Sequence, residues 1–282
     1  MSGIIGGIKG SMKKKGGGGA GLITSMAALG ITGNNASYNS NSTAWGWVGN
    51  GVSMSEGAGP IISIPLTGKT FTTGLRIILQ AAGGGSSNND GDGDSSANSG
   101  ATAVFDIPAA GLTGTLSIYV GSAGPNYASS GNTNVNINPR SLSVVSNPFG
   151  AQGVSAGQAG WCGNAAYDAA VLLGSTLLGY AEGGAATASY DSANGYQSRA
   201  YVNTSYVSSV ATTAGPVSPG RGYAPTNTSW PAWNFNNDSN LGTCYGKYSS
   251  VASNRYGQGG PEAALSSPGY NGQPGFVWVS IL

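Results

Sequence analysis

"LRIILQAAGGGSSNNDGDGDSSANSG", residues 75–100, opens as a strand and then stops supplying a core. Leu75, Ile77 and Leu79 alternate with Arg76, Ile78 and Gln80, the two-residue period of a pleated strand. From Gly83 to Gly100 the only apolar side chain is Ala97. A good strand therefore feeds a long run of glycine, serine, asparagine and aspartate, and the fold has to give that run a use. Small residues let loops leave a rigid sheet and pack close together without bulky side chains between them.

The whole chain shares this composition. Of 282 residues, 50 are glycine and 13 proline, and only 7% are charged, against about a quarter in ordinary soluble proteins. Yet 39% are apolar, gathered in short alternating runs. Such a chain can bury a core while spending many residues on turns. Trp45 and Trp47 share a face, as do Ile62, Ile64 and Leu66, with Pro60 and Pro65 pointing to an edge strand. Leu116, Ile118 and Val120 face one way, and asparagines alternate with Val135 and Ile137. "AAVLLGSTLLGYAEGG" predicts two strands joined by a turn at Gly174-Ser175; a helix over 164–178 is the weaker alternative, because Gly174 interrupts it.

Residues 188–211, rich in tyrosine, predict a loose hairpin, and residues 215–240, with four prolines and no period, a long loop. The closing "PGFVWVSIL" is apolar on both faces and belongs in the middle of a sheet. No repeat of 20–50 residues points to a solenoid or propeller. The expected fold is all-β: an antiparallel β-sandwich or jelly-roll-like domain over residues 43–282, with long glycine-rich loop insertions at 83–100 and 211–245. An extended N-terminal arm, residues 1–42, precedes it.

Composition also excludes functions. There is no histidine, which removes the commonest general base and metal ligand. Cys162 and Cys244 are the only cysteines and form no CxxC pair, which excludes zinc and iron–sulfur sites; one disulfide or two buried thiols both fit them. Glu56, Glu182 and Glu262 are too scattered to single out a glycosidase pair. The chain therefore reads as a non-enzyme. No run is long and apolar enough for a membrane helix, and the four glycines at 16–19 spoil the lysine-led segment before them as a signal peptide. Synthesis in a cytoplasm is expected.

Lys9, Lys13, Lys14 and Lys15 stand in a first segment without acids, which leaves the rest of the chain net acidic, since the total is +1. No basic stripe for nucleic acid remains. The arm is too short of apolar residues to form its own core, so a free arm would be disordered and an ordered one must be held by a neighbour. Ile4, Ile5, Ile8 and Lys9 are the residues expected to dock it.

Two groups in the loops can carry chemistry. Asp90, Asp92 and Asp94 in "NNDGDGDS" offer hard oxygen ligands, which makes calcium the one candidate cofactor. The EF-hand pattern fails at Ser95 and Ala101, and a solvated loop whose charges block strand addition is the plainer reading. Tyr223, Trp230, Trp233 and Phe235, with Tyr245, set aromatic rings among asparagine and serine, which suits a carbohydrate or protein surface. Packing into a core or a subunit interface explains them equally well. Arg221 in "PGRGY" is placed to meet an acidic sugar or a partner carboxylate, or to sit in an exposed turn.

"SIPLTGKTFTTGLRIILQAAGGG", "AVFDIPAAGLTGTLSIYVGSAG", "LLGYAEGGAA" and the terminal "GQPGFVWVSIL" occur in that order. Together they resemble the glycine-rich domain of bacteriophage tail and tail-fibre proteins, over about residues 60–121, 171–186 and 272–282. "IIGGIKGSM" is similar to the start of short phage virion proteins. The chain departs from the family where Gly83–Gly85 gives way to "SSNNDGDGDSSANSG", since members carry longer glycine runs. The resemblance implies a virion protein of the tail or tail fibre, partnered by other virion tail proteins, often a homotrimer, that touches a host-surface glycan or protein. The alternatives are a purely structural virion component (head fibre, decoration or tail sleeve) and a calcium-assisted lectin-like adhesin.

Overall fold

A computed structural model describes residues 21–33, 38–41, 43–49, 60–86, 97–126, 140–150, 163–186, 198–213, 257, 259–260 and 270–282. They are almost entirely β, in antiparallel sheets, with two short 3-10 turns at Met26–Leu29 and Ala109–Gly111. The strands of the first half are β1 (Gly21–Leu22), β2 (Thr32–Gly33), β3 (Tyr38–Asn41), β4 (Ala44–Val48), β5 (Ile62–Pro65), β6 (Lys69–Thr70) and β7 (Gly74–Gln80). Those of the second are β8 (Thr102–Pro108), β9 (Thr115–Val120), β10 (Ala169–Leu173), β11 (Thr176–Ala181), β12 (Ala200–Val202), β13 (Ser208–Thr213) and β14 (Phe276–Ile281). One six-stranded sheet runs β12-β11-β10-β9-β5-β2 and another β13-β8-β7-β14-β4-β3. β1 and β6 form a small parallel pair.

The two larger sheets face each other across one core. Leu75, Ile77, Leu79, Phe105, Val277, Val279 and Trp47 enter it from one side, and Ile62, Ile64, Leu116, Ile118, Val171 and Leu178 from the other. Period-two alternation puts these residues on the inner faces. Phe105 of β8 reaches across to β11, where a Cβ on Gly179 would fall 2.3 Å from the ring. The absence of a side chain there makes room for the aromatic.

Several expectations hold in detail. β14 lies between β7 and β4, in the interior of its sheet. β10 and β11 are a hairpin whose turn places Gly174 at φ +59°, the left-handed region that glycine tolerates.

Others change. β5 is not an edge: it pairs with β9 along its length and with the two residues of β2 at Ile62 and Ser63. Pro65 lies beyond that short contact, where no donor is required of it. β12 and β13 are not a hairpin either, because β12 adds to β11 and β13 to β8. The turn between them carries the chain from one sheet to the other. Residues 21–33, read from sequence as part of the arm, pack on the sandwich, with Met26 and Leu29 buried in the main core.

Replacing Phe105 with Ala should lower the unfolding free energy by about 3–5 kcal/mol, read from urea titration. A loss below about 1 kcal/mol would mean that this ring does not fill the space between the sheets.

Candidate functional site

At one end of the sandwich the chain leaves the sheets without forming loops in the ordinary sense. β7 runs on into 81–86, β9 into 121–126 and β11 into 182–186, while 97–101, 163–168 and 270–275 lead into β8, β10 and β14. These segments are not strands. Gly83, Gly84 and Gly85 donate their N–H groups to Gln273, Asn98 and Asn164, at 2.9, 3.0 and 2.9 Å. Each of those acceptors lies in a different neighbouring segment. Ser86 then returns to the first neighbour, donating to the carbonyl of Tyr270 at 2.8 Å.

A strand bonds alternately to two sides. Here the partners rotate with a period of three, the turn of a polyproline II helix. The carbonyls of Ala82, Gly83 and Gly84 accept from Gly184, Gly124 and Gly260. Segment 81–86 is thus enclosed by 97–101, 121–126, 163–168, 182–186, 270–275 and the residues at 257 and 259–260. Backbone packs directly on backbone. A Cβ on Gly84 would stand 2.3 Å from the carbonyl oxygen of Ala185, and one on Gly124 only 1.9 Å from that of Asn164. The glycine run is there because another chain occupies the space of its missing side chains.

Polar side chains close the remaining backbone groups. Ser198 Oγ donates to the carbonyls of Ser99 and Gly183, and Ser86 Oγ accepts from the N–H of Tyr270. At the root, Gln80 Nε2 donates to the carbonyl of Gly100 at 2.9 Å.

A second cluster clamps the bundle to the sheet. Asp168 and Glu182 flank the β10–β11 hairpin, one residue beyond the Ala169–Ala181 pair, and both are almost wholly buried. Asp168 accepts from Tyr180 Oη and, at 2.7 Å, from the N–H of Gly183. Glu182 accepts from Arg199 through Nη2 and Nε, at 2.6 and 2.8 Å, and from Asn147 Nδ2. The Arg199 guanidinium lies 4.4 Å from the centre of the Phe149 ring, and Phe149 meets Tyr180 and Tyr201 edge-on. These contacts tie residues 140–150 onto the outer face of β10 and β11.

Burial pushes the Asp168 carboxyl up to about 7, and Glu182 adds to the rise, against hydrogen bonds from Tyr180, Gly183 and Ser141 that favour the anion. Burial and the neighbouring Asp168 raise Tyr180 as well. A near-neutral acid often marks catalysis, but these acids are enclosed by their own chain. The arrangement holds structure together.

The residues singled out from sequence lie outside those described: Asp90, Asp92 and Asp94; Arg221, Tyr223, Trp230, Trp233 and Phe235; Ile4, Ile5, Ile8 and Lys9; Cys162 and Cys244. What the structure does fix is where their segments are tied. Residues 87–96 are bounded by Ser86 and Ala97, both at the outer end of the bundle. Among the described residues no group of acids or cysteines gathers in the way a metal would need, and no helix is long and apolar enough to cross a membrane.

Sequence reading missed the Asp168–Glu182 clamp. The signal was present, since folding the hairpin about Gly174-Ser175 brings two acids together at its base. Neither the protein-family models nor the curated proteins compared with this chain match it.

Two outcomes test the site. Gly124→Ala should cost at least about 1–3 kcal/mol, because the clash is with backbone, whereas Gly111→Ala, whose Cβ would have 4.0 Å of room, should be near neutral in the same thermal melts. The second concerns pH. A carboxyl with a raised folded value binds its proton more tightly in the native state, so its contribution to stability is full below the ordinary carboxylate value near 4. That contribution falls as pH rises to about 7, then levels. With no histidine in the chain, the window from pH 5 to 7 is nearly clear of other titrations. Asp168→Asn should flatten the Tm profile there; an unchanged slope would show that Asp168 is not its source.

Proposed function

We propose that this chain is a non-enzymatic structural protein of a bacteriophage virion, associated with the tail or tail fibre, that contributes to attachment to the host surface. The observation that carries this reading is the opposition of its two ends. Gly21–Leu22 pairs with Lys69–Thr70, and the Ile23 N–H donates to the Thr70 carbonyl at 2.7 Å. This is the end where β7 begins. The glycine-packed segments leave from the end where β7 finishes. Seven strand residues and six extended ones separate the two by about 40 Å.

An N-terminal arm leaving one end suits docking to neighbouring virion subunits, in a homo-oligomer for which the family resemblance favours a trimer. Segments tethered at the other end suit contact with a host glycan or protein. Their bases are fixed by backbone hydrogen bonds on rigid glycine-lined helices, so little entropy remains to be lost at those bases when they bind. Calcium held at Asp90, Asp92 and Asp94 would belong to the same outer end.

The test is genetic and visual. Deleting residues 1–20 should abolish incorporation into particles and leave the isolated β domain with an unchanged melting temperature. Replacing residues 87–96 by a glycine–serine linker should leave incorporation normal and cut adsorption to cells at least about tenfold, or about 1.4 kcal/mol of binding. Gold labels on the domain that decorate the head, with normal adsorption of the linker variant, would favour the purely structural virion component instead.

A further inference from the structure

The outward face of the sheet containing β7 is closed over. Alternation turns Gln80, Ile78 and Arg76 of β7, Thr102, Val104 and Asp106 of β8, and Phe276 and Trp278 of β14 away from the sandwich core. Register sets them in rows, Thr102–Gln80–Phe276 and then Val104–Ile78–Trp278. The rings of Phe276 and Trp278 stack with an interplanar angle of 28° and lie against Gly46, whose added Cβ would fall 2.5 Å from the Phe276 ring.

A tryptophan lying flat on an open sheet leaves one side to water. Trp278 is 3% exposed, Val104 1% and Gln80 0%, although among the described residues no strand crosses this face. The cover ends one row further on, where Arg76 and Asp106 pair with their side chains 39% and 23% exposed. Whatever lies there comes from the end of the sheet next to the bundle.

We propose that residues 214–256 are the occupant of this face. Both ends of that segment are anchored beside it. Thr213 of β13 pairs with Thr102, in the row of Gln80. Gly257 stands against the Gln80 side chain and donates its N–H to the carbonyl of Pro274 at 2.8 Å. The segment brings Tyr223, Trp230, Trp233, Phe235 and Tyr245, ample apolar surface for two rows of a sheet.

The competing stretches fit less well. Residues 50–59 contain only Val52 and Met54 as bulky apolar side chains, and residues 1–20 enter at Gly21, at the opposite end of the sandwich. The proposal assigns the aromatic cluster to the protein's own packing, and leaves host contact to the other segments tied at the bundle. It does not depend on what the outer end binds.

Hydroxyl-radical footprinting of the intact chain, read by mass spectrometry, tests this without disturbing the fold. Trp230 and Trp233 should be oxidised at least about tenfold more slowly than in the urea-unfolded chain, as Trp278 should be. Trp278→Ala should speed oxidation of Trp230 or Trp233 severalfold while leaving Trp45 unchanged. Oxidation of both tryptophans at the unfolded rate would overturn the proposal. So would exposure of Trp278 on deletion of residues 1–20 or on dilution to nanomolar concentration, which would make the arm or a second copy of the chain the cover instead.

Discussion

A main chain buried as deeply as residues 81–86 must hand every N–H to a carbonyl, and it has no water to fall back on. In this protein the partners are neither the next turn of a helix nor two flanking strands. They are six other stretches of the same chain, reached in rotation as the segment turns through three residues. That geometry works only if the backbones come close, and they come close only where side chains are missing. Gly84 and Gly124 face carbonyl oxygens at distances no Cβ could share. The fold depends on this contact between bare backbones, drawn from places far apart in sequence.

The sandwich gives the bundle its starting points. Each extended segment continues, or leads into, a strand whose register is fixed by the apolar core, so six entry points are set before any glycine packs. The few buried charges gather at the seam: Asp168 and Glu182 at the base of one hairpin, with Arg199 reaching Glu182 from the start of β12. A scarcity of charge across the chain is consistent with this design. The adhesive is the peptide group, which every residue carries, and charged side chains would only separate the backbones.

Such a bundle turns flexible residues into a stiff support. Glycine loses more freedom on ordering than any other residue, and here the loss is met by hydrogen bonds in nearly every direction around the central segment. Beyond the last of these bonds the chain is free of the packing rule, and its residues change at once from glycine to serine, asparagine and aspartate. A rigid base with unconstrained sequence above it is what a surface-contacting end requires. The opposite end, where Met26 and Leu29 anchor the incoming chain in the core, is arranged for attachment to something larger.

The sequence alone determined whatever has a two-residue period. Strands β4, β7, β9 and β14, the turn at Gly174-Ser175 and the interior position of β14 are written in alternating side chains, because alternation is local and a strand needs no distant information to show it. The glycine-rich stretches carried no such mark. A three-residue helix of glycines has no side chains with which to display its period, so it reads as loop until its neighbours are known. The same holds for the switch of sheets between β12 and β13, for β2 covering the first half of β5, and for the meeting of Asp168, Tyr180, Glu182 and Arg199. Each joins residues whose own sequence is compatible with other partners. Only the folded chain, in which every buried donor has to find an acceptor at once, chooses among them.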